Sequence, residues 1–113
     1  MRMLTDEPRR QHSGKTLPQP DLREIPVDQV LRALGEPVRL DIVRSLARSE
    51  HPMNCSAFGL TVSKSTSTHH FKVLRESGII TQYDKGTARY SELRGAELEQ
   101  RFPGLLAAVL AAR

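Results

Sequence analysis

Apolar residues recur at helical spacing in three parts of the chain, and the polar residues between them predict where each helix ends. Val27, Val30, Leu31 and Leu34 fall at i, i+3, i+4 and i+7, one face of a first helix that Gly35 terminates. Pro37 suits the first turn of a second helix, where its missing N–H is not needed. Leu40, Val43 and Ala47 form that helix's expected buried stripe, and Ile42 lies off it, facing the first helix or a partner subunit. His51-Pro52 breaks the pattern, so a short helix is expected over residues 54–58, with Gly59-Leu60-Thr61 as the following turn. Residues 63–78 carry the longest uninterrupted helical pattern: Ser63 stands where an N-cap belongs and Gly78 where a helix stops in the left-handed conformation. At 100° per residue, Ser67, Phe71 and Leu74 share one side, while Ser65, Thr66, His69 and Lys72 share the other.

The pattern then changes period. Residues 79–84 and 87–93 are rich in β-formers, and Lys85-Gly86 between them reads as a hairpin turn in which Gly86 takes positive φ. Beyond the hairpin, residues 97–101 and 103–112 predict a helix interrupted near Phe102-Pro103, apolar at Leu105, Leu106, Val109 and Leu110. A long amphipathic helix followed by a hairpin defines the expected fold class: mainly α with a small β-hairpin wing (α+β), a winged helix-turn-helix. Residues 1–20, with Pro8, Gly14, Pro18 and Pro20 and no periodicity, are expected to form a flexible N-terminal arm; residues 21–113 form the DNA-binding and dimerisation domain. In a chain of 113 residues an apolar terminal helix is expected to serve as a dimer surface.

Charge adds a partner. The chain carries 17 Lys plus Arg against 13 Asp plus Glu, a net +4. Residues 63–94 hold six basic residues and three acidic ones, so three of those four net charges sit on the long helix and the hairpin. Short hydroxyls, an imidazole and an ammonium on one helix face suit phosphates and base edges of double-stranded DNA. Lys64, Ser65, Thr66, Thr68, His69 and Lys72 are therefore the expected reading residues, with Lys85, Thr87 and Arg89 as wing contacts. Arg9-Arg10 in the arm also offers cations to phosphate, against the plainer account of a solvated tail.

Two segments carry a resemblance to a known family. The run Ala33-Leu34-Gly35-Glu36-Pro37-Val38-Arg39-Leu40-Asp41-Ile42 precedes Ser65-Thr66 and His69-His70-Phe71-Lys72-Val73-Leu74-Arg75, and the hairpin follows. Over residues 27–93 the chain resembles the ArsR/SmtB family of bacterial winged-helix repressors. The resemblance implies a homodimer joined by its first and last helices, bound to an inverted-repeat operator. Many members of that family sense metals, one site using two cysteines separated by one residue in the helix before the reader. Here that neighbourhood is Met53-Asn54-Cys55-Ser56-Ala57, with one thiol, and the terminal helix holds no His for the family's alternative site. No metal and no cofactor are expected, because a transition-metal site needs several converging donors. His70, at the edge of the packed face, is expected to be structural.

Other function classes find less in the sequence. Ser65, His69 and Asp84 are the residue types of a hydrolytic triad, but no nucleophile elbow, oxyanion motif or glycine-rich phosphate loop accompanies them, so no enzymatic activity is expected. Cys55 is the single cysteine, which excludes an intramolecular disulfide. Its place near a helix start could lower its pKa, so a thiol-based redox-sensing repressor is one alternative; inert packing is the plainer reading. A winged-helix interaction module without DNA is a second alternative, and the basic wing argues against it. No apolar run approaches the ~20 residues of a membrane span and no secretory core segment is evident, so a cytoplasmic protein is expected. The inducing signal is not written in the sequence.

Overall fold

The computed structural model describes residues 15–112, which form a winged helix-turn-helix of five α-helices and one antiparallel sheet. The helices are α1 (Val27–Leu34), α2 (Pro37–Arg48), α3 (Lys64–Glu76), α4 (Gly95–Arg101) and α5 (Leu105–Ala111). The strands are β1 (Lys15–Thr16), β2 (Met53–Asn54), β3 (Ile80–Lys85) and β4 (Ala88–Leu93), arranged across the sheet as β1-β3-β4-β2. Only the β3–β4 hairpin is expected from the sequence. The two added strands are two residues long, too short to express the alternation by which a strand is read. Within the expected arm over residues 1–20, Lys15–Thr16 is instead paired with β3, and Leu17 N–H donates to Gln82 O at 2.9 Å. Residues 1–14, including Arg9-Arg10, lie outside the described residues.

The core gathers where α1, α3 and β4 meet on α2. Ile42 and Val43 from α2, Leu74 from α3, and Ile79 and Ile80 at the entrance to β3 have no exposed surface. This corrects the stripe expected on α2: Ile42, Val43 and Leu46 are its buried residues, while Leu40 is half-buried and Ala47 exposed. Ile42 thus closes the protomer's own interior and does not face a partner, because α2 is covered from three directions and its buried arc is wider than one stripe.

Local chemistry sets each boundary. Glu36 caps α2 by accepting from Arg39 N at 2.9 Å, with Pro37 in the first turn. Its carboxyl is held below the usual range, chiefly by that backbone bond. The helix expected over residues 54–58 is a single 3-10 turn, Cys55–Phe58, capped by Asn54 and ended by Gly59 at φ 65°. In the hairpin, Lys85 still pairs with Ala88, so the two-residue turn is Gly86-Thr87 and not Lys85-Gly86. Gly86, at φ 64°, supplies the positive angle that tight hairpin turns require. The terminal helix is split as expected: α4 ends at Phe102, and Gly104 at φ 80° starts α5.

Candidate nucleic-acid interface

Both ends of α3 are fixed by side chains and backbone geometry that the sequence announces. Ser63 Oγ accepts from Thr66 N at 3.2 Å and lies 2.9 Å from Thr66 Oγ1, satisfying one of the donors that the first turn leaves open. At the other end Gly78 N–H donates to Arg75 O at 3.1 Å and Ile79 N–H to Leu74 O at 3.0 Å, the paired bonds of a Schellman turn. Gly78 has φ 78°, and a Cβ there would stand 2.5 Å from Leu22 Cδ2. From outside the helix, Gln29 Nε2 donates to Glu76 O at 3.2 Å and tethers α1 to the same end.

The buried side of α3 consists of His70, Phe71 and Leu74. Phe71 meets Phe58 edge-on with ring centroids 5.3 Å apart, which seats the 3-10 turn against the helix. His70 is structural, as expected. Arg39 reaches it with a guanidinium nitrogen 3.2 Å from Nδ1, and since a guanidinium can only donate, Nδ1 accepts. Through Nε the same arginine donates to Ala33 O at 2.7 Å, so it ties the end of α1 to α3. That role for Arg39, within the Pro37-Val38-Arg39-Leu40 run, is not visible in a periodicity pattern.

All nine residues expected to meet DNA are exposed. Lys64, Thr68 and Lys72 from α3 and Thr87 and Arg89 from the wing line one open groove of about 780 Å³. Ser65, Thr66 and His69 continue the exposed face of α3 beyond that groove, and Lys85 sits at the end of β3. Not every cation of the segment is available. Arg94 is buried at 4% exposure, donating to Glu97 at 2.9 and 3.0 Å and to Pro20 O at 2.9 Å. Arg89 chelates Asp84 at 2.6 and 3.0 Å and holds that carboxyl below its usual range.

Beneath the groove lies a polar network that periodicity does not reveal. Arg75 on α3 donates to Gln82 Oε1 at 2.6 Å, and Gln82 Nε2 donates to Ser91 Oγ at 3.1 Å. Gln82 and Ser91 are paired across β3 and β4 and almost wholly buried, so one chain of bonds joins the helix to both wing strands. Two polar residues at inward positions of a hairpin are the one signal of it in the sequence. Cys55 Sγ touches the same group, 3.6 Å from Gln82 Nε2 and 3.7 Å from Ser91 Oγ. Burial pushes its thiol pKa up, the opposite of the lowering expected at a helix start, because one 3-10 turn brings little dipole and the sulfur is partly desolvated. Among the described residues no three His, Cys, Asp or Glu side chains cluster to hold a metal ion, and no helix is long and apolar enough to cross a membrane.

Comparison with known proteins agrees with this geometry. A family model described as "Helix-turn-helix domain" matches residues 34–83, from the end of α1 through the 3-10 turn and α3 into β3. The chain is similar to a Bacillus subtilis (strain 168) protein named "Uncharacterized HTH-type transcriptional regulator YceK", at 32% identity over 80 residues, 69% of this chain and 80% of that one. The matched segment holds the helix pair, its turn and the capped helix with the exposed polar face, and on that ground the chain belongs to the helix-turn-helix transcriptional regulators.

Proposed function

We propose that this protein is a homodimeric repressor of the ArsR/SmtB type that binds an inverted-repeat operator in double-stranded DNA. The observation that carries the reading is the convergence of α3 and the wing on one groove, where Lys64, Thr68 and Lys72 face Thr87 and Arg89. In this reading α3 enters the major groove, with Ser65, Thr66 and His69 beside Thr68 and Lys72 at the base edges, while Lys64, Lys85, Thr87 and Arg89 hold backbone. Arg89 exchanges Asp84 for phosphate on binding. Dimerisation through α1 and α5 places two such surfaces side by side, as a two-fold operator requires. Val27 and Leu31, exposed at 44% and 47%, support that contact on α1.

The raised thiol pKa of Cys55 disfavours the redox alternative, since the thiolate is the reactive form. The test is selection of a bound duplex from a random library, then titration of it and of a scrambled duplex. Preference for the selected sequence by at least the ~10³-fold typical of specific binding supports the reading. Equal affinity for both duplexes overturns it.

A further inference from the structure

The groove between α3 and the wing has two tiers. Its rim carries exposed side chains, among them Lys64, Lys72 and Arg89, which a duplex would meet first. Its floor is made of covered ones: Leu60, Val62 and Arg75 are half-buried and Phe71 is buried. At about 780 Å³ the groove falls within the roughly 300–1,000 Å³ that small-molecule pockets occupy, and no Asp or Glu lines it.

Arg75 is the residue on that floor without a matching partner. Its guanidinium is a permanent cation, and it donates through Nη1 to a neutral acceptor, Gln82 Oε1. In Arg89 and Arg94 the other edge of the guanidinium, Nε with Nη2, grips a carboxylate. In Arg75 the Nε is buried and, among the described residues, has no hydrogen-bond partner, and no carboxylate pairs with the side chain. A covered cation without a counter-charge is costly, and the edge left over matches a carboxylate in two parallel bonds. Apolar side chains beside that edge suit the body of an organic anion, which a backbone phosphate does not offer.

We propose that the floor of this groove binds a small organic carboxylate, its charged end on Arg75 and its apolar body against Leu60, Val62 and Phe71, and that the ligand releases DNA by filling the space between reader and wing. The proposal rests on the reading of α3 and the wing as a duplex-binding surface, and gives that surface an inducer class.

Cys55 lines the same groove and is the single thiol, so its alkylation by iodoacetamide reports occupancy without DNA. The probes are naphthoate, naphthamide as the same body without charge, and acetate as the same charge without the body. At about ten times its dissociation constant naphthoate should slow alkylation about tenfold. The amide should need about tenfold more ligand for the same protection, and acetate should leave the rate unchanged. Arg75→Gln should bind the two naphthyl compounds alike, and Arg75→Lys should restore the preference, each keeping the parent's far-UV dichroism. The parent's own preference for carboxylate over amide is read without any variant, so the test stands if Arg75→Gln unfolds. Naphthoate should also release the duplex selected by the parent, and acetate at the same ionic strength should not. Equal protection by naphthoate and naphthamide, no protection at millimolar naphthoate, or protection that leaves the duplex bound overturns the proposal. If the parent binds no duplex while protection of Cys55 follows the charge, the duplex-binding reading falls and the carboxylate site stands. A parent that binds the selected duplex but gives no protection loses the carboxylate site alone.

Discussion

Ser63 and Gly78 bracket α3, and each acts on a different part of the backbone problem. Ser63→Ala removes the acceptor for Thr66 N and should cost about 0.5–2 kcal/mol. Gly78→Ala should cost more. It must hold a left-handed residue, at ~1–2 kcal/mol, and also displace the Leu22 side chain that its Cβ would meet at 2.5 Å. Urea unfolding of the two variants checks the order, and a Gly78→Ala loss no greater than that of Ser63→Ala would contradict this account of the turn. A third expectation concerns Cys55. Because burial raises its pKa, less thiolate exists at neutral pH than in a free thiol, so alkylation by iodoacetamide should be slower than for a cysteine peptide. Alkylation faster than the peptide's would restore the redox reading.

The helix and the hairpin make different demands on DNA, and the difference can be measured element by element. His69→Ala or Lys72→Ala removes an expected base contact, worth ~1–3 kcal/mol, and should weaken the selected duplex more than a scrambled one. Lys85→Ala should weaken both alike and reduce the salt slope by about 0.9 per phosphate left unneutralised. If His69→Ala and Lys72→Ala bind as the parent does, α3 is not the reader. What the sequence makes legible follows the same division. α1, α2, α3 and the hairpin are readable because each is long enough to show a period and carries its own stop, Gly35, His51-Pro52 or Gly78, or its own turn glycine, Gly86. The exposed face of α3 is legible for the same reason, since two faces of one helix separate at 100° per residue. Elements whose existence depends on a partner are not legible. β1 and β2 are two residues each and exist only as additions to β3 and β4. The Arg75–Gln82–Ser91 bonds unite residues from three elements, and the withdrawal of Arg94 into a buried pair depends on Pro20, 74 positions earlier. Long-range polar pairing of that kind leaves no periodic trace.

At the scale of the molecule, the question is what covers α1. Val27 and Leu31 stand one turn apart and are the two large apolar side chains most exposed on the described surface. On α5, by contrast, Leu105, Leu106, Val109 and Leu110 are already half-covered by the protomer's own core. The proposed dimer therefore draws its unsatisfied apolar area chiefly from α1, with α5 completing the patch. Val27 and Leu31 are already half-covered, so burying the rest of both on both protomers gives about half of the 1.5–3 kcal/mol of full burial for each of four side chains, to which the partly buried residues of α5 add. That gross gain must exceed an association cost of roughly 4–15 kcal/mol, so the balance is close and one polar substitution should tip it. Light scattering of the parent at micromolar concentration should give about twice the 12.7 kDa chain mass, and Leu31→Glu should give the single-chain mass. Leu31 contributes little to the protomer's interior, so Leu31→Glu should keep its far-UV dichroism and still bind a half-site while losing tight binding to the full repeat. The same substitution at Leu46 should instead unfold the chain, because that side chain is buried in the core between α2 and its neighbours. A parent of single-chain mass, or a Leu31→Glu variant that remains double, would remove α1 from the interface and with it the geometric reason for an inverted-repeat operator.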